Sequence, residues 1–462
     1  MKLPNKNYRV IILLPVMVIA ANLSCKKYLE KSPDDRLAVP QSVTDLQAVL
    51  DFTNVMNIYT TPGIGEASCD DYYLQESTYS SSIVTWQNLY TWQLGDYFFQ
   101  NGWSKAYNAI YNANYCLDEL KNTPPAPQLQ DAWNNVKGSA LFYRSYYFMH
   151  LLWEFAKAYD PASSNTDPGI VLRLGSDFNV PSKRASVKEC YDRVIEDARL
   201  CAGYLPDHPV HVMRPSKSAA WGLLAKAYLS MRQYDSALHY ATLCLGIDHD
   251  LIDYNGDPGI NGSLSATVPF VRFNKEVIFY SEMNNNSFIN SPTKAKIDTV
   301  LYAMYDSNDL RKTAFFRVYS GGYRFKCIYT GNITQYFTGI ATDEIYLIKA
   351  ECEARTGKIP EALEDLNTLL QKRYSNATPY VAFTSDDPAA VLHKILQERR
   401  KELLMRGVRW IDIKRLNKEN ANITLIRNIG GQTYTLLPGA SYYALPLPAD
   451  IIQASGIAQN ER

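Results

Sequence analysis

Two stretches of this chain repeat one helical design, and that repetition restricts the fold more than any other feature. Residues 343–374 read DEIYLIKAECEARTGKIPEALEDLNTLLQKRY, in which Tyr346, Ala350 and Ala354 recur at intervals of four. Ala362, Leu366, Leu369 and Leu370 mark a second apolar face, and between the two lie Gly357, a helix stop, and Pro360, which suits a first helical turn. Facing alanines let two antiparallel helices approach closely. Residues 214–245 repeat the design: Trp221, Leu224, Ala225 and Tyr228 lead to Ala237 and Ala241, close to the 34-residue tetratricopeptide pattern. Each copy places its second-helix alanine 16 residues after its first aromatic, Trp221 to Ala237 and Tyr346 to Ala362. The matching aromatics Trp221 and Tyr346 are 125 residues apart, so either the intervening chain is an insertion or the repeats assemble from separated segments.

The rest of the chain is consistent with a mainly α fold of tetratricopeptide-like helix pairs, carrying irregular loops and short-strand insertions. Ser42 and Asp45 form a capping-box pattern ahead of a helix reaching about Met56. A long helix starts at Trp103, with Tyr107, Ile110, Tyr111, Asn114 and Leu117 at helical spacing; another covers about 131–159. Ser186 and Glu189 cap a further one. Residues 249–340 turn rich in Gly, Asn, Ser and aromatics, and YRFKCIY alternates as a strand does. Asp387-Pro388 then opens a helix whose apolar stripe of Leu392, Ile395, Leu396 and Leu403 includes Arg399. An arginine there calls for a carboxylate on another helix, while Glu402 and Arg406 are spaced as a surface pair.

The N-terminus reads as an export signal: Lys2, Lys6 and Arg9 precede an apolar run from Val10 to Ala21, too short to span a bilayer comfortably. The run ends at Leu23-Ser24-Cys25, which resembles a lipoprotein cleavage box with Cys25 as the lipidated residue. The expected organisation is a signal peptide over 1–24, a helical region over 25–248, a variable insertion over 249–341 and a C-terminal helical region over 342–462. Residues 25–462 hold 44 basic and 47 acidic residues, a net charge of −3, so nothing recommends a nucleic-acid partner. Seven cysteines besides Cys25 show no CxxC or Cys/His cluster.

Glu398-Arg399-Arg400, Glu402-Leu403, Gly407, Arg409-Trp410, Asp412 and Arg415 resemble the C-terminal hallmark of the SusD/RagB family. WSKAYNAIYNANYCLDEL, GSALFYRSYYFMHLLWEFAKAYD and the terminal LPLPADIIQASGIAQN are similar to the family's helix pairs and tail, and CKKYLEKSP to its mature start. The resemblance implies a nutrient-binding lipoprotein anchored in the outer membrane and facing the cell surface. It implies capture of oligosaccharides or other nutrients as a lid on a SusC-like TonB-dependent transporter. Binding would be reversible, with no cofactor and no enzymatic step. The rival reading is a tetratricopeptide-type scaffold that binds proteins or peptides.

The chain has no HExxH, GxSxG, P-loop or dinucleotide fingerprint. His208 and His211 lie on a proline-broken loop without a third ligand, and no metal is expected. Asp248, Asp250, Asp253, Asn255 and Asp257 only superficially resemble a calcium loop, because the glycine spacing is wrong. The informative irregular stretch is aromatic: twelve Tyr, Trp and Phe fall between Tyr72 and Tyr111. A sugar ring offers a C–H face to an aromatic ring and hydroxyls to Asp, Asn or Arg. Trp103, Tyr107 and Tyr111 have helical spacing and read as core. Trp86 and Trp92 lack it and are expected as solvent-facing platforms. The candidate ligand contacts are therefore Asp71, Tyr73, Trp86, Trp92 and Asn101, completed by Tyr323 or Tyr329, which the alternation of GGYRFKCIY would turn to one face.

Overall fold

The computed structural model describes residue 40 and residues 42–98, 101–284 and 289–461; the expected export signal and Cys25 lie outside the described residues. Helices of seven residues or more are α1 (Val43–Leu50), α2 (Val84–Tyr90), α3 (Gly102–Asn122), α4 (Gln130–Phe155), α5 (Val187–Ala202) and α6 (Lys217–Ser230). They continue with α7 (Tyr234–Leu245), α8 (Thr342–Arg355), α9 (Ile359–Gln371), α10 (Pro388–Glu402), α11 (Arg409–Asn417) and α12 (Ala449–Ser455). Ser42 and Ser186 head full capping boxes, and Asn101, Ser216 and Asp387 cap α3, α6 and α10. The first helix is shorter than its sequence pattern, ending at Leu50 before a separate turn at Thr53–Met56.

The helices stack in chain order: α3 on α4, α4 on α5, α5 on α6, α6 on α7, and α8 on α9 and α10. Between the two copies of the repeat, α7 packs directly on α8. The array is therefore continuous in space, and residues 246–341 leave it and return. Small residues make the approach possible, with Ala220, Ala227, Ala237, Ala241, Ala350 and Ala362 all at zero exposure. Gly357, at φ +81°, makes the turn between α8 and α9, a conformation that strains any side chain.

Among the described residues ten short strands form five antiparallel pairs. They are β1 (Tyr72–Tyr73) with β5 (Lys296–Ile297), β2 (Pro168–Val171) with β3 (Arg184–Ser186), and β4 (Val277–Phe279) with β8 (Ile340–Ala341). The others are β6 (Phe316–Tyr319) with β7 (Gly322–Phe325) and β9 (Leu425–Ile429) with β10 (Gln432–Leu436). The helices surround one large apolar core. A second core gathers Ile252, Phe270, Tyr280, Ile297, Phe315, Phe325 and Tyr336 from the excursion with Tyr72, Leu74 and Tyr90 from the early aromatic stretch. The seven described cysteines are all buried free thiols. Among the described residues no helix is long and apolar enough to cross a membrane.

Buried ions bind these layers together. Arg399 is 4% exposed and meets Asp412 of α11 at 2.8 Å, with Glu344 of α8 at 3.7 Å, the interhelical pairing its position on the stripe demanded. Glu402 and Arg406 do not form the expected surface pair. The α10 helix ends at Glu402, which is fully buried between Arg311 and Arg373, and Arg406 turns to Asp343 at 2.9 Å.

Candidate ligand-binding site

The hallmark residues position the aromatic stretch. Arg409 Nε and Nη2 donate to the two carboxylate oxygens of Asp70 at 2.7 and 2.8 Å, a bidentate pair, and Arg400 Nε donates to Asp71 at 2.9 Å. Burial alone would raise the Asp70 carboxyl, but Arg409 and then Arg400 hold it well below the usual range. For Asp71, burial and the neighbouring Asp70 outweigh Arg400, so its carboxyl is raised. Asp71 is 1% exposed. It is a fastening of the segment to α10, and the expectation of a free hydroxyl partner there is corrected.

Three more expected contacts prove to be structural. Trp92 is 7% exposed: its indole N–H donates to the Ser68 carbonyl at 3.0 Å, and Arg427 lies 5.5 Å over its ring. It anchors the stretch from inside. Asn101 caps α3, accepting from the Ser104 N–H at 3.0 Å. Tyr329 is fully buried at φ +73°, and its hydroxyl donates to Glu276 and to Asp343. Strand alternation stops at Phe325, so Tyr323 and Tyr329 do not share a face. Glu276, pushed up to about 7 by burial against the pull of Arg373, sits beneath that hydroxyl. Trp86 lies on α2, half-buried and packed against both cores, so it is less open than a free platform would be.

Tyr73 and Tyr323 keep accessible rings. Tyr73 is half-buried on β1 opposite Lys296 of β5. It lines a cleft of about 410 Å³ with Asp70, Asp298, Arg400, Arg427 and Asn428. Tyr323 is half-buried on β7 and stacks on Tyr302, ring centroids 3.6 Å apart and 13° from parallel. Tyr73 approaches the same hairpin from the face opposite to Tyr323: a Cβ placed on Gly322 would come within 3.1 Å of the Tyr73 hydroxyl. Tyr319, 45% exposed, lies across the turn from Gly322. Tyr302 and Tyr319 went unread in the sequence, although FRVY-SG-GYRF has the alternating arms and glycine turn of a hairpin.

A second, larger groove of about 570 Å³ runs along α3, where Tyr111 stacks on Phe178 at 4.8 Å. Trp103 is core, as its spacing predicted. Elsewhere the acidic loop spends its carboxylates locally: Asp253 meets Lys372, Asp257 meets Lys275, and both also cap turn N–H groups. Among the described residues no three His, Cys, Asp or Glu side chains cluster as metal ligands.

Residues 27–229 match a family model described as starch-binding, associating with the outer membrane, and residues 270–444 match the SusD family model. No curated protein sequence matches the chain. Among solved structures it is similar to a SusD superfamily protein from Bacteroides thetaiotaomicron, with TM-score 0.73 and 18% identity over 91% of this chain and 100% of that one. A SusD superfamily protein from Bacteroides fragilis gives 0.73 and 20% over 91% and 99%. A SusD-like carbohydrate binding protein from Bacteroides vulgatus gives 0.67 and 19% over 90% and 97%. Two models of one family follow each other along a single chain whose fold is that of solved SusD proteins, so this chain belongs to the SusD/RagB family.

Proposed function

We propose that the protein binds oligosaccharides at the outer membrane and delivers them to a SusC-like TonB-dependent transporter, held by a lipid on Cys25. It captures ligand reversibly and performs no chemistry. The observation that carries the reading is Tyr73: a half-exposed ring at the rim of a 410 Å³ cleft whose other walls include Asp298, Arg400 and Asn428. That is an aromatic face for sugar C–H groups beside planar polar groups for hydroxyls. Tyr319 extends the aromatic rim on the adjoining hairpin, whereas Tyr323 lies on the hairpin's other face against Tyr302. The match to a family described as starch-binding and associating with the outer membrane supports both the ligand class and the location.

Calorimetry with a panel of oligosaccharides tests this on Tyr73→Ala and Tyr319→Ala. Loss of a stacking ring should weaken binding about tenfold, the equivalent of roughly 1.4 kcal/mol, with the fold retained by circular dichroism. No binding across the panel, or binding indifferent to both variants, would reject the site. The scaffold reading has one observation behind it, the groove where Phe178 stands 76% exposed against Tyr111. A peptide ligand abolished by Phe178→Ala and indifferent to Tyr73→Ala would favour it.

A further inference from the structure

The β6–β7 hairpin carries a charge arrangement that packing does not explain. Arg317 and Arg324 are direct cross-strand partners in the register. Like charges opposite one another on antiparallel strands repel, which destabilises the hairpin. Neither arginine has a carboxylate within ion-pair distance among the described residues, and the Nε of each is out of solvent contact without a hydrogen-bond partner. Arg324 donates through Nη2 to the Thr293 carbonyl, and its guanidinium lies over the Tyr319 ring.

The surroundings add to the imbalance. From Leu310 to Thr342 the chain has five basic residues and no acidic one. Of these, Arg311 is neutralised inside its own carboxylate cluster. Lys312 donates to the Tyr305 carbonyl and lies 4.8 Å over Tyr302, while Lys326 donates to the carbonyls of Leu264 and Thr313. Lys296, on the neighbouring strand, donates to the Ser320 carbonyl. These cations are solvated by carbonyls and rings, not by carboxylates. Burial and then the field of Arg317 depress the Lys326 ammonium, so the cations act on one another. The rim carboxylate Asp298 is turned to its own chain, capping the Leu301 N–H at 2.8 Å. All this sits on a molecule whose net charge from residue 25 onward is −3.

Alternation along the two arms puts Arg317, Tyr319, Gly322 and Arg324 on one face. It is the face where a Cβ on Gly322 would lie 3.0 Å from Lys296 Cδ and 3.1 Å from the Tyr73 hydroxyl. The unpaired arginines therefore adjoin the proposed sugar site. Resting on that reading, we infer that the ligand is an anionic glycan, its carboxylate or sulfate groups neutralising Arg317 and Arg324 while its rings lie on Tyr73 and Tyr319. A guanidinium is suited to both groups, since its fork of N–H donors matches two oxygens at once.

The test is calorimetry on the purified protein with three probes: oligogalacturonate for carboxylate, chondroitin sulfate oligosaccharides for sulfate, and maltooligosaccharides as an uncharged control. Titrations run at 50 and 500 mM NaCl on the natural protein, Tyr73→Ala and the double variant Arg317→Gln/Arg324→Gln. The expected result is at least tenfold tighter binding of one or both acidic probes than of the neutral one. That preference should fall at least tenfold at high salt and vanish in the double variant. The thermal midpoint of the double variant should hold or rise, because a repulsive pair has been removed; a structural role for the arginines would lower it. Neutral glycans bound through Tyr73, with no effect of salt or of the double variant, would overturn the anionic inference and leave the glycan site standing. Failure of all three probes would remove both.

Discussion

Replacing Arg311 with methionine should expose how much the buried ionic lattice contributes to stability. Arg311 is fully buried and reaches Asp309 at 2.7 Å, Glu398 at 2.6 Å and Glu402 at 2.9 Å, all three carboxylates likewise without exposed area. Arg311→Met keeps much of the volume and removes the charge. Three buried carboxylates then rely on Lys401, 2.9 Å from Asp309 and 3.0 Å from Glu398, and on Arg373, 2.7 Å from Glu402. Breaking a buried pair costs about 3–5 kcal/mol, and these remaining cations put the expected loss at the lower end. An unfolding entropy of ~2 cal/mol/K per residue over a chain of this length sums to about 1 kcal/mol/K, so the thermal midpoint should fall by about 3 °C.

The pH dependence identifies the cause. Burial would raise the Glu398 carboxyl, but Arg311, then Lys401 and Lys394, lower it to about 2. In the natural protein its contribution is complete above the unfolded carboxyl value of about 4.3 and is lost as pH falls toward 2. Without Arg311 the largest attraction on Glu398 is gone, and burial should raise its carboxyl above the unfolded value. The variant then bears a penalty at pH 7.5 that protonation relieves, and its deficit should shrink as pH falls to 5. Scanning calorimetry of both proteins at pH 7.5, 6 and 5 measures this. A deficit constant across that range, or a midpoint change under about 1 °C at pH 7.5, would refute the assignment to unpaired charge.

Trp92→Ala should lower the midpoint clearly, since emptying a buried tryptophan site costs about 3–5 kcal/mol; an unchanged midpoint with weakened glycan binding would return Trp92 to the ligand surface. Glu154 is pushed up to about 8 by burial, which outweighs its hydrogen bond from Gly65 and the charge of Lys414. A carboxyl raised in the folded state contributes stability at low pH that is lost as pH rises from about 4.3 through 8. Glu154→Gln should therefore match the natural protein at pH 5 and exceed it at pH 8.5 in thermal midpoint; equal midpoints at both values would contradict the raised carboxyl. Cys25→Ala should shift the protein from the membrane fraction to the soluble pool, read by fractionation and blotting, and retention at the membrane would sink the lipid anchor.

The scaffold was readable because it obeys short-range rules. Period, small residues at helix contacts and a stop at Gly357 all act within 35 residues, and an arginine among leucines announces its partner by its cost. Much of the site was not, because long-range contacts decide it. Trp86 and Trp92 lack helical repetition, which suggested exposure; yet an aperiodic segment is buried as readily when distant groups pin it. Asp71 has its partner at Arg400, 329 residues on, and no local pattern shows that. The alternation through Tyr323 would have carried Tyr329 to the same face had the strand continued. Instead Cys327 and Tyr329 take φ of +57° and +73°, and buried carboxylates draw the Tyr329 hydroxyl inward.

The bidentate clasp of Arg409 on Asp70 spans 339 residues of chain. Such a contact closes one of the largest loops the sequence allows, so its formation is slow to be rewarded during folding. The segment bearing Tyr73 is thus among the first made and among the last to be secured. Helix pairs with local contacts can form while it waits, its tyrosines and tryptophans uncovered. A chain broken between α10 and α11 keeps most of its scaffold helices and never gains the clasp, leaving an aromatic stretch prone to association with its own copies. Completion of the C-terminus is, for this protein, the moment at which its binding surface acquires a shape.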